Sequence, residues 1–143
     1  MELLTIPYTN TSRNVNEAGY VQVRGVLRTE GEGVVLEFTR ARHLYGQSEL
    51  LDDIRTAVIP WFDIQSLEFR RRFPLRGVLI LRTRSLRTLR DVPHTRGNEA
   101  VLYVARGDRL AARELAASVE LALADHRLAA LQAPYSPPAL PPR

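Results

Sequence analysis

Leu67-Glu68-Phe69-Arg70-Arg71-Arg72-Phe73-Pro74-Leu75-Arg76-Gly77-Val78-Leu79-Ile80-Leu81-Arg82-Thr83 carries two strands and the turn between them. Leu67, Phe69 and Phe73 fall on one face of an extended chain, and Glu68, Arg70 and Arg72 on the other. That is the period of two that defines a half-buried strand over residues 67–73. Pro74 makes the turn, and residues 76–83 return antiparallel. The centre of this second strand is apolar on both faces, so it is expected to be covered twice, by the core on one side and by another segment or subunit on the other. Val78 and Ile80 are therefore candidate contact residues.

The same pattern continues upstream. In residues 20–28, Val21, Val23 and Leu27 alternate with Gln22, Arg24 and Arg28. Residues 29–33 supply a glycine-containing turn, and Val34, Leu36 and Phe38 return on one face opposite Val35, Glu37 and Thr39. Residues 42–47 read as a loop and residues 48–53 as one helical turn capped by Ser48. A strand over 55–59 stops at Pro60, which cannot donate to a ladder. Ahead of all this, residues 6–8 are expected to form a short edge strand, and 10–19 a loop. Downstream, residues 84–98 make a long excursion with a short helix over 85–91, and a final strand spans 100–106.

Residues 108–131 form a helix. Asp108 is its expected N-cap, and the segment is rich in Ala, Leu, Arg and Glu with no Gly or Pro before Pro134. About seven strands joined mostly by hairpins and followed by one helix predict a mainly antiparallel β barrel or sandwich capped by that helix. With 143 residues, one domain is expected over 20–132, preceded by a partly ordered segment (1–19) and followed by a proline-rich flexible tail (133–143).

Within this layout, Ile59-Pro60-Trp61-Phe62-Asp63-Ile64-Gln65-Ser66-Leu67-Glu68 resembles the I-P-x-x-D-I-x-S-V-E stretch of bacterial pleckstrin-homology-like (PH-like) domains, with Leu67 in place of valine. The resemblance covers roughly residues 20 to 130. It implies two roughly orthogonal sheets capped at one corner by a C-terminal helix, and it implies almost nothing about a ligand. Pro60 ends a ladder here, Asp63 is placed to bond its own backbone two residues on, and Ile64 pins the turn to the core. Lipid-binding PH domains place basic residues around their first hairpin. Here Arg24 and Arg28 are followed by Glu30 and Glu32, which would repel a headgroup.

Composition narrows the function. All 20 basic residues are arginine, against 16 acidic ones, for a net charge of +4. A protein selected for nucleic acid keeps some lysine and carries a larger excess, so the arginines reflect compositional bias and nucleic acid is not the expected partner. With no cysteine, disulfides, thiol nucleophiles and thiolate zinc sites are excluded. His43, His94 and His126 show no ligand spacing, so no metal and no cofactor is expected. His126 lies near the core stripe of the helix and is expected to pack there. Gly46-Gln47-Ser48-Glu49-Leu50 lacks the last glycine of a nucleophile elbow, and Gly31-Glu32-Gly33 joins two strands. Glu49, Asp52 and Asp53 read as exposed charges near Arg55. No catalytic residue and no small-molecule substrate is inferred. The N-terminus has no basic start or long apolar run, so a cytoplasmic protein is expected.

Two surfaces remain. On the helix, Ala111, Ala112, Leu115, Ala116, Val119, Ala122 and Leu123 form the stripe that should cap the sheets. A second stripe, Leu110, Ala117, Leu121, Ala124, Leu128 and Leu131, has the spacing of a coiled-coil seam. Glu114, Ser118 and Asp125 separate the two stripes on one side, and Arg113, Glu120 and Arg127 on the other. The seam either packs against a partner helix, most simply from a second copy, or is covered by the N-terminal segment or by residues 84–98. The other surface is the arginine cluster, where Arg70, Arg72 and Arg76 are the candidate anion-binding residues. The sequence thus predicts a non-catalytic, self-associating interaction module, with an anionic lipid surface or anionic ligand as the alternative partner.

Overall fold

The computed structural model describes residues 5–13, 20–44, 47–51, 53–72, 76–93 and 95–132. Among these are nine strands and one helix: β1 (Thr5–Arg13), β2 (Tyr20–Glu30), β3 (Gly33–Leu44), β4 (Gln47–Leu50), β5 (Arg55–Pro60), β6 (Ile64–Arg72), β7 (Arg76–Thr83), β8 (Thr95–Arg96), β9 (Glu99–Val104) and α1 (Arg109–Gln132). All pairings are antiparallel, in the order β4-β3-β2-β1-β9-β7-β6, with β5 also on β3 and β8 on β9. The mainly antiparallel architecture closed by a C-terminal helix is the one the sequence predicts.

One buried cluster takes Leu27 and Leu36 from one half of the sheet, Leu79, Leu81 and Leu102 from the other, and Leu115, Val119 and Leu123 from α1. The sheet therefore curls over its own inner face, and the core stripe of the helix seals it. The two halves meet at β1 and β9, which share the single register pair Thr9↔Tyr103. Asn10 reinforces this join. Its side chain is buried, donates to the Val101 carbonyl at 2.9 Å and accepts from the Tyr103 N–H at 3.4 Å. A side-chain amide thus replaces ladder bonds where backbone pairing is thin.

Four local expectations are corrected. The expected edge strand over 6–8 is a nine-residue strand inside the sheet, because the polar residues after Tyr8 include the inward Asn10. The expected helical turn at 48–53 is the strand β4, paired to β3 through Ala41↔Leu50, Arg42↔Glu49, His43↔Ser48 and Leu44↔Gln47. Four exposed residues cannot meet the cost of helix nucleation, and the Ser48 hydroxyl bonds His43 Nδ1 at 2.9 Å instead of capping. Residues 85–91 form turns and no helix, and they deliver Leu89 and, just beyond, Val92 to the core. Asp108 does not cap α1; the chain enters the helix through a 3-10 turn at Arg106–Asp108.

Asp63 departs from expectation in a way that organises the fold. It is buried, and its carboxylate reaches the excursion after β7 rather than its own turn. It accepts from the Ser85 N–H at 2.9 Å and from the Thr88 hydroxyl, while its carbonyl accepts from the Arg84 N–H at 2.7 Å. Ile64 is buried as expected. The Trp61 indole donates to the Gly31 carbonyl at 2.9 Å, tying this turn to the β2–β3 hairpin.

Tyr8 lies opposite Gly25 in the register, and a side chain at Gly25 would strike its ring. The Tyr8 hydroxyl is buried with no hydrogen-bond partner, and burial pushes its ionisation well above the ordinary phenol value of 10.0. Desolvation without a compensating bond costs stability. Tyr8→Phe is therefore expected to stabilise the domain by about 1 kcal/mol, read by urea denaturation at neutral pH. The folded pKa is raised, so the tyrosine's contribution is intact below pH ~10 and declines as pH rises above it. The phenylalanine variant should lack that alkaline loss. Equal stability at neutral pH would refute this account of the hydroxyl.

Candidate functional site

The face of α1 opposite the core stripe carries four of the exposed leucines on the described surface. Leu110, Leu121, Leu128 and Leu131 are 68%, 66%, 53% and 82% exposed, and Ala117 and Ala124 are also exposed. Ala112, Leu115, Ala116, Val119 and Leu123 are buried against the sheet. The two stripes therefore separate as the helical period requires. Among the described residues no segment covers the seam. Of the two candidate covers, β1 is committed to the sheet, and the described part of the 84–98 excursion turns Leu89 and Val92 into the core and leaves Leu86 exposed.

Val78 and Ile80 belong to a different situation. They are 0% and 5% exposed within this chain and present no free surface, which corrects their assignment as interface residues. The register explains how they are bordered. Arg70, Val78 and Tyr103 form one row across the outer face of β6, β7 and β9; Glu68, Ile80 and Val101 form the next; Ser66, Arg82 and Glu99 form the third. Ion pairs link the rows, Arg70 to Glu68 at 2.9 Å and Glu68 to Arg82 at 3.5 Å, and Arg82 pairs along its own row with Glu99 at 3.0 Å. The long charged stems border the two aliphatic residues while their heads stay in water.

The same ladder changes the reading of the arginine cluster. Arg70 holds both carboxylate oxygens of Glu68, at 2.9 and 3.0 Å, and these bonds hold Glu68 below the usual carboxylate range. Arg70 is thus neutralised by a neighbour two residues away. Arg72 and Arg76 pair by backbone across the β6–β7 hairpin; their side chains, and the turn at 73–75, lie outside the described residues. The three candidate anion-binding residues are close in register, and the one whose side chain is described is already paired.

The strand β6 is the free edge of its half of the sheet, and α1 lies beside it. Glu120 accepts from the Leu67 N–H at 3.0 Å, and Arg127 donates to the Gln65 carbonyl at 2.9 Å. Arg113 sits 5.6 Å from the Phe69 ring centroid. These contacts leave a trough of about 520 Å³ between β6 and α1. Sequence reading named Arg113 and Glu120 only as residues separating two stripes. Their role at the strand edge follows from tertiary packing, which no local pattern encodes.

His126 is exposed and meets Trp61 edge-on at 6.2 Å between centroids, so it does not pack in the core stripe. That corrects its expected place and puts it in a smaller pocket of about 200 Å³ with Trp61 and Phe62. His43 bonds Gln22 and Ser48, and His94 lies outside the described residues, as does Asp52. Among the described residues no group of three metal-ligating side chains gathers, and no helix is long and apolar enough to cross a membrane.

No protein-family model matches the chain, and no match was found among curated proteins or solved structures.

Proposed function

We propose that the chain is a non-catalytic PH-like interaction module that self-associates through the exposed face of α1. The observation that carries this is the uncovered seam of Leu110, Ala117, Leu121, Ala124, Leu128 and Leu131 on a 24-residue helix. Four leucines exposed over more than half their surface present apolar area on the order of 500 Å² along one stripe, at the upper range that monomers leave to solvent. Two such patches face to face approach the ~1,200 Å² at which specific interfaces begin. The coiled-coil spacing suits another helix, and a two-fold pairing lets one stripe meet itself without a second specialised surface.

Leu121→Arg combined with Leu128→Arg tests the proposal. Both positions are exposed, so the monomer fold should persist by circular dichroism, while two charges per protomer buried in the seam should weaken association by ~100-fold or more. Light scattering after size exclusion is expected to give the dimer mass for the wild type and the monomer mass for the variant. A variant that associates as the wild type does would place the contact elsewhere.

A further inference from the structure

The carbonyl of Gln65 and the N–H of Leu67 are taken by α1 side chains, so both point away from β7. Strand alternation turns the backbone groups of Phe69 and Arg71 the same way. No described group of α1 takes them up, and here the trough opens. The Phe69 ring forms part of its wall, with the Arg113 guanidinium over it and the exposed Arg71 beside it. The other charged groups of the wall are committed: Glu68 and Arg82 pair with each other, and Glu120 holds the Leu67 N–H. Among the described residues neither Arg71 nor Arg113 has a carboxylate partner.

We propose that this trough takes an extended acidic peptide, which adds to the free edge of β6 beside Phe69 and Arg71 and sets its carboxylates against Arg71 and Arg113. A strand edge asks for alternating N–H and C=O groups at the strand spacing, which a peptide supplies and a lipid headgroup or nucleic-acid backbone does not. Guanidinium forks add charge-assisted bonds and set the preference for acid. The site is distinct from the self-association seam: Leu121 and Leu128 do not line it, and only Ala117 borders both.

The test uses a fluorescein-labelled hexapeptide of alternating valine and glutamate, read by fluorescence anisotropy at low salt on the full chain and on the Leu121→Arg, Leu128→Arg variant. Both proteins are expected to bind it. Arg71→Glu with Arg113→Glu is expected to lower affinity by at least about tenfold, and Arg70→Glu, on the opposite face, by less than about twofold. N-methylating alternate peptide amides should abolish binding, and the Phe69 and Arg71 amides should exchange more slowly when the peptide is bound. If the double charge reversal misfolds, the alternating valine–lysine peptide decides on the wild type, where it should bind at least about tenfold more weakly. Equal binding of the lysine or N-methylated peptide, no binding at low salt, or capture of phosphatidylserine vesicles or a single-stranded oligonucleotide through Arg71 and Arg113 in place of the peptide would overturn the proposal. None of these outcomes bears on whether the helix seam self-associates.

Discussion

Gly33→Ala is expected to destabilise the domain severely. Gly33 pairs with Pro60 where β3 begins and β5 ends, directly after the β2–β3 turn. A Cβ at this position would sit 2.0 Å from the Ile59 carbonyl oxygen and 2.9 Å from its carbon. The obstacle is backbone, so no rotamer change relieves it, and β3 and β5 must move apart. That movement would pull at Val34 and Ile59, both fully buried in the core. Overpacking against flexible side chains costs about 1–3 kcal/mol, and a backbone clash lies at or above the top of that range. A loss of ~3 kcal/mol is a large fraction of a stability of ~5–15 kcal/mol and lowers the thermal midpoint by roughly 10 °C. Gly31→Ala is the control, because nothing lies within 4 Å of its Cβ position. It should stay within about 1 kcal/mol of the wild type. Equal midpoints for the two alanine variants would mean that β3 and β5 do not approach as described.

Asp63→Ala is the second large effect. Removing this carboxylate strips the acceptor from the Ser85 N–H and the Thr88 hydroxyl together. Bonds to a charged group are worth more than neutral ones, and a buried donor left unsatisfied costs its full desolvation. The expected loss is about 3 kcal/mol in urea denaturation. Asp63→Asn keeps one acceptor oxygen and should lose roughly half as much. The effect should also be local. The amides of residues 84–92 are expected to exchange faster than those of β2 and β3, because Asp63 anchors the excursion that brings Leu89 and Val92 to the core. Wild-type stability for Asp63→Ala would remove this anchor from the account.

Much of this architecture is legible locally, and the reason is periodicity. Val23 and Leu27, Val34, Leu36 and Phe38, Leu67 and Phe69, and the stripe from Ala112 to Leu123 announce their faces by alternation at 2 or 3.6 residues. Pro60 ends β5 where its missing N–H requires. Elements whose inward residues are polar were hidden. β1 reads as a loop beyond Tyr8 because its inward residue there is Asn10, whose amide is satisfied only once β9 lies alongside. β4 has no buried residue and is held by backbone pairing and the Ser48–His43 side-chain bond. The partners of Asp63 come from 22 and 25 residues away, a separation the turn motif does not carry.

The candidate surfaces divide along the same line. The α1 seam was visible from spacing, and its exposure follows from lying opposite the core stripe. The double-sided run around Val78 and Ile80 had the right pattern and a different cover, since charged side chains of β6, β7 and β9 border it within the chain. The trough at β6 was invisible because Arg71 and Arg113 belong to separate elements and meet only through the docking of the helix. Arg70 shows the converse. A conspicuous arginine in a conspicuous cluster is neutralised by Glu68 two residues before it.

The central claim is that the exposed face of α1 is an interface between two copies. Sedimentation equilibrium of the wild-type chain, run from low to high micromolar concentration, measures this directly. The account predicts a mass that rises with concentration towards twice the chain mass of 16.2 kDa. A mass that stays at 16.2 kDa across that range would contradict it.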